Sequence, residues 1–248
     1  MNAATIATFE KGDELKATMW LYDLWSKYPA RAFWENWPYL GPFESVFRQG
    51  VLDNTRFKQI TTAAMTGREF KRDVAIMAVD LNTAELVIFD ETTPPDKIWA
   101  AVTASATVPA VFPPLHMGDY ALVDGGTFTN LDISESIIKC RNKGFEDKDI
   151  IVDAILCFDS KMAMEEWTLK QMKYKNAYDI FKRNNQLKEF YYYFEDLIRV
   201  IRGYPDIQFR HLITPDEDLG GAFIPVFDGT AQILQLLAYG EKDAAANL

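Results

Sequence analysis

The acid–base chemistry this sequence offers is concentrated between residues 104 and 130. Asp124 stands directly before Gly125 and Gly126, at the end of the short apolar run 120–123. A strand followed by such a turn presents its carboxylate at the C-terminal edge of a sheet, where open α/β sheets place their sites. Paired glycines there admit backbone conformations closed to other residues. A carboxylate so placed can orient a hydroxyl and take its proton. Burial beside apolar neighbours such as Phe112 and Val123 would raise its pKa by desolvation and make it a better base. The same tripeptide also reads as a turn without chemistry.

Other candidates carry weaker signals. Ser105 precedes Ala106 and lies near a helix end, with no base or oxyanion loop arranged around it in sequence. His116 and His211 lack a motif, and surface or structural roles suit them better than membership of a triad. Asp132 is a second acid, but its spacing from the double glycine is wrong for the role of Asp124. The group Asp216, Glu217 and Asp218 has no calcium-loop spacing and reads as a solvated loop. Cys140 and Cys157 have no CxxC partner and no nearby histidine, so neither a disulfide framework nor a zinc site is expected. No cofactor or metal is implied.

The elements that must position these residues follow from pattern. Apolar positions Leu15, Met19, Tyr22 and Trp25 predict an amphipathic helix over 13–28, ended by Pro29. Before it, Ala3, Ala4, Ile6, Ala7 and Phe9 form an apolar helical stretch that looks like the interior of a helix. A Trp- and Pro-rich connection with a short helix around 43–47 comes next; its aromatics either pack or line an apolar cleft. Strands are predicted at 74–79, 85–89, 120–123, 150–158 and 208–214, the fourth covered on both faces. Helices are predicted at 95–105, 165–202 and 230–246. The cations and aromatics of 170–202 suit either packing on a sheet or an interfacial surface. No linker or repeat divides the chain, so residues 1–248 are expected to form one α/β domain.

Composition bounds the partners. The chain has 248 residues, 48% of them hydrophobic, which suffices for a large core. With 26 basic against 36 acidic residues, the net charge of −10 argues against nucleic acid as a partner. No apolar run is long enough for a transmembrane helix and no secretion signal opens the chain. The expected location is cytoplasmic, with transient membrane-surface contact.

Taken jointly, Ser105, Ala106, Pro109, Phe112, Pro113, Pro114, Asp124, Gly125, Gly126 and Asn130 resemble the patatin-like phospholipase family. The opening MNAATIATF resembles the helix that follows that family's nucleophile elbow, and RDVAIMAVDLNTAELVIFDE its paired strands. The end, from His211 through FDGT to the last helix, is similar to the family's C-terminus. The resemblance implies a three-layer α/β fold with a mainly parallel central sheet. It also implies a lipid acyl hydrolase that cleaves glycerolipid or phospholipid esters through a Ser/Asp dyad, with Asp124 as general base. None of the six serines lies in G-x-S-x-G. By the same alignment the elbow would precede Met1, together with the first strand and the oxyanion loop. The chain is therefore expected to be N-terminally truncated and inactive as it stands. The alternative is a lipid-binding or interaction pseudoenzyme with the same fold.

Overall fold

The structure is a computed structural model, and it describes residues 1–28, 32–157, 167–216 and 230–247. Two compact units result, with Met1–Phe128 forming the bulk of the first. In chain order this unit contains α1 (Asn2–Ala7), α2 (Glu14–Lys27), a 3-10 turn (Gly41–Val46), α3 (Thr55–Met65), β1 (Ala75–Asp80), β2 (Glu85–Asp90), α4 (Ile98–Ala104), β3 (Leu115–Met117) and β4 (Tyr120–Asp124).

Short connections decide the sheet. Residues 81–84 are too few for a crossover, so β1 and β2 pair antiparallel. Gly118, at φ +61, supplies the turn between β3 and β4. β1 pairs antiparallel with β4 as well, with Val79 opposite Val123, and the order is β2-β1-β4-β3. The expected mainly parallel central sheet is thus corrected: this four-stranded sheet is antiparallel throughout, because hairpins build it. Asp80 locks the two hairpins together. Its buried carboxylate accepts the Ala121 N–H at 2.8 Å, the Thr83 hydroxyl at 2.8 Å and the Thr83 N–H at 3.2 Å.

The core of this unit forms around α4, whose sequence IWAAVTA is apolar almost all round, as a central helix requires. Ile98, Val102 and Ala104 pack in one cluster with Ala4 and Ala7 of α1, Met65 of α3, and Ile76, Phe89 and Leu122 of the sheet. A polar contact crosses this core: the Thr61 and Thr103 hydroxyls meet at 2.8 Å, both fully buried. Phe33 packs against Trp25, Tyr28 and Phe57, so part of the aromatic connection serves packing.

The second unit contains α5 (Ile133–Asn142), β5 (Ile151–Ile155), α6 (Leu169–Met172), α7 (Ala177–Gly203), β6 (Gln208–Ile213) and most of α8 (Thr230–Asn247). β5 and β6 pair in parallel. Ile133, Ile137, Ala154, Leu197, Val200 and Ile207 form its core. The expectation that the strand near 150–158 is covered on both faces is not met over β5. Among the described residues β5 pairs with β6 alone, and Ile151 and Ile155 are exposed. Leu197 and Val200 turn one side of α7 inward, as packing requires of an amphipathic helix. Pro29, Phe158, Glu217, Asp218 and, of the FDGT turn, Phe227, Asp228 and Gly229 lie outside the described residues.

Two glycines give the fold a direct test. A Cβ at Gly50 would fall 2.6 Å from the Phe112 carbonyl carbon and the Pro113 nitrogen, whereas one at Gly240, inside α8, would meet nothing within 4 Å. Gly50→Ala is expected to destabilise by about 1–3 kcal/mol. Gly240→Ala is expected to stabilise by about 0.5–1 kcal/mol. Urea unfolding of the two variants beside the parent reads both signs.

Candidate active site

Asp124 ends β4 opposite Ala78 of β1. That register carries the next residue, Gly125, beside Met77, so tightly that a Cβ on it would stand 2.8 Å from both the Met77 Cβ and carbonyl oxygen. Gly125 is therefore required by the approach of two backbones. Its φ is not positive, and the 3-10 turn Gly125–Thr127 keeps Gly126 right-handed too. This corrects the expectation that the pair supplies unusual backbone angles. The turn is capped by Asp124 itself, whose Oδ1 accepts the Gly126 N–H at 2.8 Å.

From the other side, the Asp124 N–H donates to the Thr107 carbonyl at 2.9 Å. Thr107 is fully buried and its hydroxyl donates to the Thr103 carbonyl at 2.7 Å. A line of threonines thus ties the strand end to α4 and, through Thr61, to α3. Sequence reasoning missed Thr107 and Met77. Nothing in the local pattern marks Met77, since its part is played by main chain.

Electrostatics set Asp124 apart. Burial raises its pKa, against the opposing Gly126 N–H and the positive charge of the Met1 α-amino group. That α-amino group is itself buried, and desolvation lowers it from 8.0 to about 6, with Asp124 pulling the other way. The start of α1 and the Asp124 carboxylate therefore lie within electrostatic reach of each other. The contrast with Asp80 is instructive. Burial would raise Asp80 too, but Ala121 and Thr83 donors outweigh it and hold the group low. Among the described residues Asp124 receives one backbone donor, Gly126, and burial keeps it above its ordinary value.

The remaining candidates are dispersed. Ser105 caps α4, its N–H donating to the Ala101 carbonyl at 3.1 Å, and among the described residues no hydrogen bond joins its hydroxyl to Asp124. His116 Nε2 lies 2.9 Å from Gln49 Oε1 at the surface. His211 pairs in register with Asp153 in the second unit. Asp132 is the N-cap of α5, accepting the Glu135 N–H at 3.1 Å. Among the described residues no group of three or more His, Cys, Asp or Glu side chains is placed to hold a metal ion, and no helix is long and apolar enough to cross a membrane.

A family model, Patatin-like phospholipase, matches residues 1–137, which is more than half of the chain and includes all of β1–β4. The chain belongs to the patatin-like phospholipase family. No curated protein matches it.

A raised carboxyl pKa has a stability consequence. Below the ordinary aspartate range, about 3.9, the group is protonated folded and unfolded alike and contributes nothing. As pH rises through the folded value, ionisation in a desolvated place destabilises the fold. An amide in its place cannot ionise and keeps an acceptor for Gly126. Asp124→Asn is therefore expected to be more stable than the parent at neutral pH, with the gain vanishing toward pH 3–4, roughly that range. Thermal unfolding across that interval checks both the sign and the trend.

Proposed function

We propose that this chain is the greater part of a lipid acyl hydrolase that cleaves glycerolipid or phospholipid esters, with Asp124 as the general base of a Ser/Asp dyad. The observation that carries the reading is the half-buried Asp124 carboxylate at the end of β4, raised by burial and within electrostatic reach of the start of α1, inside the span matched to the patatin-like phospholipase family. A serine on a turn leading into α1 would arrive beside Asp124. None of the six serines of the chain sits in G-x-S-x-G, so the nucleophile is assigned to residues preceding Met1 in the parent polypeptide.

The chemistry asked of each group is modest. A serine hydroxyl is a weak nucleophile near neutral pH, and Asp124 takes its proton as the oxygen attacks the ester carbonyl. The proton then passes to the departing alcohol as the acyl-enzyme forms, and water attacks that intermediate by the same route. Gly125 and Gly126 hold the carboxylate in place and take no part in the bond changes. The Gly126 N–H fixes one carboxylate oxygen, which leaves the other for the hydroxyl.

The test uses the coding sequence extended upstream. G-x-S-x-G is expected shortly before the Met1 codon, and the 248-residue chain alone is expected to show no ester cleavage. In the extended protein Asp124→Asn should lower kcat by about 10²–10⁴, the usual worth of a general base. Unchanged turnover would overturn the role of Asp124. An upstream sequence without the motif, in a chain that still binds lipid, would select the pseudoenzyme.

A further inference from the structure

Between Trp37 and Val51 the first unit carries a lobe with its apolar side chains outermost. Tyr39, Leu40, Phe43, Val46 and Phe47 are 86%, 61%, 80%, 78% and 84% exposed. Scattered apolar exposure is ordinary, but five large side chains within nine residues form a patch of the kind that marks an interaction surface.

The lobe is built to hold that arrangement. Its base is closed by reciprocal backbone hydrogen bonds between Glu35 and Asp53, both 2.9 Å, and by the Arg56–Glu35 ion pair at 2.9 Å. Inside, the buried Glu44 carboxylate accepts the Tyr39 N–H at 2.8 Å and the Leu40 N–H at 3.0 Å, and Arg48 pairs with its other oxygen at 3.2 Å. Arg48 also lies over the Trp37 ring, 4.8 Å from its centroid, and Trp37 Nε1 donates to the Gly50 carbonyl at 3.0 Å. The one acidic group of the lobe is thus buried and satisfied, while Arg48, which pairs with it, stays partly exposed. A loop with closed ends and internal hydrogen bonds is preorganised, which lowers the cost of binding.

Charge selects the partner. From residue 37 to residue 51 the only charged side chains are Glu44 and Arg48, and they neutralise each other. The protein as a whole carries a net charge of −10, which repels an anionic bilayer. An aromatic-rich lobe without net charge on an acidic body fits a lipid surface without net charge, where Tyr, Trp and Phe side chains settle at the headgroup boundary. The lobe also adjoins the candidate site by main chain. Val51 and Leu52 N–H groups donate to the Ala110 and Val111 carbonyls, both 2.9 Å, in the segment that follows Thr107, the residue bonded to the Asp124 backbone.

We infer that residues 37–51 form a docking lobe that seats the protein on electrically neutral lipid surfaces through Tyr39, Leu40, Phe43, Val46 and Phe47. The choice of lipid as partner rests on the hydrolase reading above; the geometry of the lobe does not.

Co-flotation with phosphatidylcholine vesicles, without turnover, tests this directly. The chain is expected to bind, Phe43→Ser with Phe47→Ser is expected to weaken binding by at least about tenfold, and added phosphatidylserine is expected to bring no gain. Hydrogen exchange on the unaltered chain should show vesicle-dependent protection at 39–47, which removes any dependence on how the variant folds. No binding to neutral vesicles, binding that requires anionic lipid, or undiminished binding by the double variant would each overturn the inference. Protection at 39–47 that tracks protein concentration without vesicles would do so as well, assigning the lobe to a second copy of the chain. Because no ester is cleaved in these measurements, their failure leaves the role of Asp124 to the activity assay, and the reverse holds equally.

Discussion

Two backbones touch where Gly125 passes Met77, and much of the first unit is arranged around that contact. With no side chain on Gly125, β4 can stay in register with β1 to its last residue and then turn at once. The carboxylate of Asp124 is thereby left half-buried, accepting the Gly126 N–H, with burial raising its pKa. A bulkier residue would push the turn outward and return the carboxylate to water, where its pKa would be ordinary.

Three carboxylates show how donor count sets the behaviour of a shielded acid. Leu40 and Tyr39 backbone N–H groups, with Arg48, hold Glu44 below its usual range, and the Ala121 and Thr83 donors do the same for Asp80. Both have structural work: Glu44 shapes a lobe and Asp80 joins two hairpins. Asp124 receives fewer donors and shifts the opposite way. Unmet hydrogen-bonding capacity in a desolvated carboxylate is what acid–base chemistry draws on.

Legibility varied with how local the determinant was. The hairpin at 74–90, the strand before the double glycine and the helices near 13–28 and 95–105 announced themselves through alternation, spacing and turn residues. α3 was missed because a buried threonine, Thr61, interrupts its apolar stripe of Phe57 and Met65, and its partner Thr103 lies on another element. α5 is absent from the sequence-based elements although Asp132, with Glu135 three residues on, carries a helix-start pattern, because Asp132 is considered there as an acid and not as a cap. Among the connection's aromatics, only folding separated Phe33, which packs, from Phe43 and Phe47, which do not.

Residue types and short-range spacing, on their own, determined the hairpin elements and the overall acidity and singled out Asp124 as the candidate base, because each depends on neighbours along the chain. The pairing of β1 with β4, the reason for Gly125, the threonine line beneath Asp124 and the outward set of the 37–51 lobe were decided by tertiary structure. Each of these turns on which backbone groups meet across large sequence separations and on how much water is excluded when they do. Desolvation and close approach are properties of surfaces brought together, and a linear pattern does not contain them.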